Sequence, residues 1–206
     1  MNFDFAPLEI HPDAEDALSV ERPLFDWPGA RWGKCLALYT YARRCTKGPI
    51  IELGTYHGCG SIALALGNRD GHQVPFYTID PFVDYAGWIG GEHYYPQDLD
   101  VFKSNLEKLD LTNHVALIQE RSEDVAQWFD DQYEFLFWDI GGSRLFDDYL
   151  DWYGLCALGG TIAVKDLTSW SFGFDDVAEH ALENGFVTQD HFRPGCIWTL
   201  TCRGEL

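Results

Sequence analysis

Acidic residues close five successive apolar runs of this sequence. Glu52 lies near the end of Pro49–Leu53, Asp80 follows Pro75–Ile79, Glu120 follows Val115–Gln119, Asp139 follows Phe135–Trp138, and Asp166 follows Thr161–Val164 with Lys165 between. If these runs are parallel strands, the acids gather beyond the carboxyl ends, where open α/β sheets hold their ligands. A carboxylate there can accept hydrogen bonds, take up a proton or face a cation. Asp80 is placed to accept from both hydroxyls of a ribose. A helix cap or a plain surface acid is the competing reading. Of the histidines, His57 is the one best placed to see a ligand, either as a catalytic group or as a structural loop residue.

His57 belongs to the segment Glu52-Leu53-Gly54-Thr55-Tyr56-His57-Gly58-Cys59-Gly60-Ser61, which joins the first apolar run to the helical run Ile62–Leu66. Glycine tolerates the positive φ of a tight turn and lets a ligand approach the backbone. The N–H groups of a helix's first turn add partial positive charge. The segment therefore reads as strand, loop and helix N-terminus around a nucleotide-like cofactor, with Glu52, Gly54, Thr55, Tyr56, Gly58 and Ser61 as candidate contacts. Glu52 would orient either the loop or the cofactor's amino group. A Walker loop is excluded, because no lysine lies between Lys47 and Lys103. The dinucleotide fingerprint needs glycine where Tyr56 stands, which argues against a nicotinamide-dependent oxidoreductase.

The elements that must position these residues alternate. A helix is expected over Ala30–Cys45, from Cys35, Leu38, Tyr39 and Ala42 at helical spacing. After the first strand and its helix (Ser61–Leu66), Asn68-Arg69-Asp70-Gly71 makes a turn. The second strand leads to an aromatic, glycine-rich insert over 83–97, read as a lid or a surface loop. Helices are expected over Leu99–Leu109, from Ser122 as N-cap, over Leu145–Tyr153 and over Asp175–Asn184, with Leu158-Gly159-Gly160 as a turn before the fifth strand. Phe186–Phe192 and Cys196–Cys202 flank Arg193-Pro194-Gly195 as a C-terminal hairpin. The pattern is a doubly wound α/β sheet with an antiparallel strand near its edge. It reads as one domain, with 1–48 as a helical extension and 49–166 as the cofactor-binding core.

At 206 residues, with 46% apolar and 16% aromatic residues, the chain is long enough for a large core. Its formal charge of −19, with only 14 Lys and Arg, disfavours nucleic acid or an anionic membrane as partner. No apolar run approaches the roughly 20 residues that span a bilayer, and no secretory signal is evident, so a cytoplasmic location is expected. The six cysteines form no Cys-x-x-Cys pair and read as reduced thiols. Oligomeric state is not legible.

The segments Glu52–Ser61, Tyr77-Thr78-Ile79-Asp80-Pro81-Phe82, Phe137-Trp138-Asp139 and Leu158–Asp166 together resemble class I S-adenosylmethionine-dependent methyltransferases. They are most similar to the metal-linked small-molecule O-methyltransferases of the catechol and macrocin kind. The resemblance implies a Rossmann-like, mostly parallel seven-stranded sheet, S-adenosyl-L-methionine as cofactor and a small-molecule acceptor methylated at oxygen. Glu120-Arg121-Ser122-Glu123-Asp124 is similar to the adenine-edge segment of that family, which implies cofactor contacts for Ser122 and Glu123 beside any capping role. By position, Asp139 and Asp166 would bind Mg²⁺. This chain departs from the pattern at Leu167 and after Asp139, where Ile140-Gly141-Gly142-Ser143-Arg144 stands. Two further options stay open: direct action, with Asp139 as base and Lys165 either beside the acceptor or paired with a neighbouring acid as a structural ion pair, or loss of catalysis with cofactor binding retained.

Overall fold

The apolar runs form parallel strands, and helices cover both faces of the sheet they build. The computed structural model describes residues 6–7, 9–19, 30–83, 85–89, 92–94, 98–140, 145–165, 174–192 and 197–203. In chain order the elements are β1 (Ala6–Pro7), α1 (Ala14–Ser19), α2 (Ala30–Arg44), β2 (Ile50–Leu53), α3 (Cys59–Asp70) and β3 (Phe76–Ile79). Next come β4 (Tyr85–Ile89), β5 (Glu92–Tyr94), α4 (Asp98–Lys108), β6 (Ala116–Ile118), α5 (Ser122–Ala126) and β7 (Tyr133–Trp138). The chain continues with α6 (Leu145–Trp152), β8 (Cys156–Lys165), α7 (Phe174–Glu183), β9 (Phe186–Phe192) and β10 (Ile197–Cys202).

The strand order of the main sheet is β1-β9-β10-β8-β7-β2-β3-β6. Strands β2, β3, β6, β7 and β8 are parallel to their neighbours in that series, while β10 runs antiparallel to both β8 and β9. This is the expected doubly wound, mostly parallel sheet of seven strands with a C-terminal hairpin, extended by the two-residue β1 at its edge. The insert after β3 contains β4 and β5, which pair antiparallel as a ribbon apart from the main sheet.

Alternation along each strand divides the core. Ile50, Phe135, Phe137 and Ala163 pack in one cluster with α2 and α3, whereas Ile51, Leu136, Trp138, Ile162 and Val164 pack in the other with α6 and α7. Successive side chains of a strand point to opposite faces, and a parallel sheet covered on both faces is apolar throughout. Helix α2 is buried nearly all round from Gly33 to Ala42, more than one apolar stripe would require.

Two local expectations differ. Ser122 is the first residue of α5; Arg121 holds the cap position, and no side chain caps it. Leu158-Gly159-Gly160 lies inside β8, not before it. Gly159 takes φ +84°, and pairing with β7 shifts register between Tyr133 and Phe135, so the glycines bend a strand where an end was expected. The expected hairpin turn at Arg193-Pro194-Gly195 lies outside the described residues. Among the described residues, no helix is long and apolar enough to cross a membrane. Cys35, Cys45, Cys59, Cys156 and Cys202 are in the reduced thiol form.

Helices α2 and α3 meet through glycine. A Cβ on Gly67 would collide with the Tyr39 carbonyl oxygen and lie 2.9 Å from its Cα, and one on Gly71 would lie 2.8 Å from the Arg43 carbonyl oxygen. Backbone cannot swing aside as a side-chain tip can. Gly67→Ala is therefore expected to destabilise the protein by about 2–3 kcal/mol despite alanine's better helix propensity. Urea unfolding measures this; a neutral or stabilising result would contradict such close approach.

Candidate functional site

Along the chain, strands are added from β2 outward through β3 to β6, and then on the other side of β2 with β7 and β8. The order reverses between β2 and β7. A crevice opens there beyond the carboxyl ends, the usual ligand position in such sheets. The glycine loop leaves β2 at this point, and Asp139 leaves β7.

Gly54 and Gly58 hold φ +87° and +88°, and Tyr56 between them also has positive φ. The turn is tight against its surroundings. A Cβ on Gly54 would lie 2.8 Å from the Asp139 carbonyl oxygen, and one on Gly58 would lie 2.6 Å from the Phe102 ring. Glycine is needed here for conformation and for close approach. The Gly54 N–H donates to the Ile79 carbonyl and the Asp139 N–H to the Leu53 carbonyl, so the strand ends on both sides of the crevice are tied together.

Asp80 anchors the loop from β3. Its Oδ2 accepts the N–H groups of Thr55 and Tyr56 at 2.8 and 3.1 Å, and its Oδ1 accepts that of Phe82 at 2.9 Å. The residue is 6% exposed. Sequence reasoning assigned this carboxylate to a ribose and missed its backbone donors.

Beneath the loop, Glu52 is buried on the α3 side of β2. Its Oε2 accepts from the hydroxyls of Ser61 and Thr78, and Thr55 and Thr78 share a further short hydrogen bond. A Cβ on Gly60 would strike the Glu52 carboxylate, so the helix start packs directly on this acid. The geometry gives Glu52 and Ser61 a bracing role under the turn. Burial pushes the Glu52 carboxyl up from 4.5 to about 8, only partly offset by the two hydroxyl donors. The sign follows: the unfolded chain loses this proton near its ordinary value while the folded chain keeps it. Stability from this site is full below about 4.5 and declines as pH rises toward about 8. Glu52→Gln should remove that decline, worth roughly 3–5 kcal/mol. Unfolding free energies of both proteins at about pH 5 and about pH 8 test it; parallel pH dependence would sink the claim.

His57 stacks on Tyr56 at 3.8 Å, and its Nε2 lies 2.9 Å from Oδ1 of Asp98, the first residue of α4. Asn105 of α4 donates to the His57 carbonyl at 3.0 Å. Asp98 escaped sequence reasoning because nothing near it in the chain points to the loop. Ser122 and Glu123 sit where the chain enters α5 beyond β6; Ser122 is buried, and Glu123 lies 3.6 Å from the Arg121 guanidinium.

Asp139 is engaged on both oxygens. Lys165, the last residue of β8, places Nζ 2.6 Å from Oδ1, and Lys34 of α2 places Nζ 3.0 Å from Oδ2. Lys34 is 5% exposed and its ammonium lies 5.7 Å from the Phe137 ring centre. Burial is the largest single influence and works against that charge, but the Asp139 carboxylate and the neighbouring Cys59 and Cys35 sulfurs together outweigh it and raise the Lys34 pKa above its ordinary value. Sequence reasoning missed Lys34. The signal was a lone lysine within an apolar helical run in a chain poor in basic residues.

This arrangement disfavours Mg²⁺ at Asp139, since a dication there would lie within a few ångströms of two ammonium groups. Asp166, the second expected ligand, lies outside the described residues, and among the described residues no group of three or more His, Cys, Asp or Glu converges. An adenosyl cofactor is compatible with the glycine turn and the helix start at the strand reversal.

A sequence profile described as "Methyltransferase domain" matches residues 51–167. No curated protein matches the sequence. Among solved structures, the S-adenosylhomocysteine-bound methyltransferase PaMTH1 of Podospora anserina is 17% identical, with TM-score 0.62 over 97% of this chain and 91% of that one. The O-methyltransferase TomG of Streptomyces achromogenes, involved in tomaymycin synthesis and solved with S-adenosylmethionine, is 19% identical, with TM-score 0.56 over 96% and 92%. A methyltransferase of Geobacter sulfurreducens is 16% identical, with TM-score 0.58 over 95% and 92%. At these identities the likeness is one of fold.

Proposed function

The chain belongs to the methyltransferase-domain family, and on that premise we propose that it methylates a hydroxyl oxygen of a small molecule with S-adenosylmethionine as donor. The observation that carries this reading is the Gly54–Gly58 turn held at the reversal of strand order, where the chain leaves β2 at the head of the crevice. The cofactor supplies an electrophilic methyl group. The chain's own residues position and exclude. Asp80 and the Glu52–Ser61–Thr78 network keep the loop in one shape, and Gly54, Thr55, Tyr56 and Gly58 form the turn against which the cofactor would lie. Ser122 and Glu123 stand beyond β6 as the adenine-side contacts. His57, fixed by Asp98, and the Asp139–Lys165 pair are the polar groups available to an acceptor. The charge of −19 supports a small molecule over nucleic acid. The closest family parallel we infer is with small-molecule O-methyltransferases of the catechol and macrocin kind, in a single cytoplasmic domain whose β4–β5 ribbon helps close the acceptor site.

Calorimetric titration with S-adenosylmethionine and with NAD tests the premise. Saturable binding of the former is expected; tight binding of NAD alone would defeat the reading. Turnover against phenols, sugars and amines then separates an enzyme from a binding protein. Cofactor binding without turnover of any hydroxyl compound would count against O-methylation.

A further inference from the structure

Cys35 and Cys59 have no part in that reading, yet the fold brings their sulfurs together from 24 positions apart. We propose that they are a redox modification site, a reversible disulfide between α2 and the start of α3 that distorts the glycine turn and weakens cofactor binding. The effect on the cofactor rests on the methyltransferase reading, whereas the disulfide itself does not.

Three observations converge. First, the two Sγ atoms are 3.5 Å apart, and the Cys35 Sγ also lies 3.9 Å from the Cys59 carbonyl oxygen. A disulfide holds its sulfurs about 2.05 Å apart, so a closure of roughly 1.5 Å completes the bond. Second, the two thiols are unequal. Cys35 is fully buried, whereas Cys59 is half-buried at the head of α3. Cys59 therefore meets a small oxidant, and Cys35 stands behind it to resolve the product. The Lys34 ammonium is near enough to both sulfurs to favour negative charge on either, and the thiolate is the reactive form. Third, the closure cannot be absorbed between the helices. Gly67 and Gly71 of α3 already pack on the α2 backbone at Tyr39 and Arg43, where a Cβ finds no room. The movement falls instead on the start of α3, beside the turn assigned to the cofactor.

The chemistry balances as exchange with a low-molecular-weight disulfide such as oxidised glutathione. The Cys59 thiolate attacks one of its sulfurs and displaces the first glutathione thiolate. The Cys35 sulfur then attacks the Cys59 sulfur of the mixed disulfide and displaces the second. The protein pair gives up two electrons and two protons, and the oxidant becomes two thiols.

Two measurements test this. The wild-type protein is equilibrated in buffers of reduced and oxidised glutathione, alkylated, digested and mapped by mass spectrometry. A Cys35–Cys59 cross-link is expected, growing with the oxidised fraction and removed by dithiothreitol. Both cysteines alkylated at every ratio, or a cross-link only between other cysteines, overturns the proposal. The second measurement is calorimetry with S-adenosylhomocysteine on reduced and oxidised samples. Oxidation should weaken its binding to wild type by about tenfold, and saturating S-adenosylhomocysteine should by reciprocity disfavour the disulfide by the same factor. Cys59→Ala and Cys35→Ala should each bind equally in both buffers; Cys59→Ala, at the half-buried position, serves alone if the other does not fold. A cross-link with unchanged affinity, or an equal loss of affinity in Cys59→Ala, also overturns the proposal. The two questions stay apart. A reduced protein that does not bind S-adenosylhomocysteine fails the methyltransferase reading and, with it, the proposed effect on the cofactor, whereas mapping judges the disulfide without any cofactor.

Discussion

Asp139→Asn is expected to lower stability by about 3–5 kcal/mol, and Lys34→Met added to it is expected to restore most of that loss. The single change leaves the Lys34 ammonium 5% exposed, with its carboxylate partner gone. A buried charge without a partner costs far more than the pair itself contributes. Removing both charges leaves methionine on the buried stretch of α2 near the Phe137 ring, an environment that suits it. A double-mutant cycle by urea unfolding should therefore return a coupling of about 3 kcal/mol. The raised Lys34 pKa sets the pH window. The contribution is fully present below the ordinary 10.5 and is lost only as pH rises through the higher folded value, so the coupling should be constant across neutral pH. Strict additivity of the two substitutions would mean that the pair does not act as a unit.

Asp80→Ala is expected to act on two properties at once. It removes the acceptor of three backbone N–H groups in a site only 6% exposed, which should cost about 3 kcal/mol of stability. It should also weaken S-adenosylmethionine binding by roughly 1–3 kcal/mol, through loss of the loop's shape and of the ribose contact proposed for Asp80. Calorimetric binding and urea unfolding on the same preparation separate these effects. Unchanged affinity would refute the ribose role. Unchanged stability with weakened binding would show that the loop holds its shape without the carboxylate.

Much of the architecture was legible because its causes are local. Apolar runs of strand length between helical periodicities dictate an α/β sheet, and glycines at 54 and 58 signal a turn with positive φ wherever it lies. Boundaries were less legible where one residue type serves two ends. Leu158-Gly159-Gly160 reads as a turn, yet bends β8 without ending it, because Gly159 lets the strand shift register and continue. Ser122 reads as an N-cap, yet the helix begins on it, because Arg121 supplies the extended residue before the first turn. Candidate residues were legible by type and strand position, but their partners were not. Asp139 was identified as an acid beyond a strand, while Lys34, 105 positions away, was not identified at all.

By itself the sequence determined that a glycine loop would join a strand to a helix beside a row of acids, since backbone freedom and apolar period are properties of short segments. Only the tertiary structure decided what those acids hold. It set Asp80 against the loop's own N–H groups, His57 against Asp98 from 41 positions away, and Asp139 between two lysines. A charge's partner is chosen by which elements the sheet brings together, and the strand reversal between β2 and β7 brings α2, the glycine loop and the end of β8 to one place.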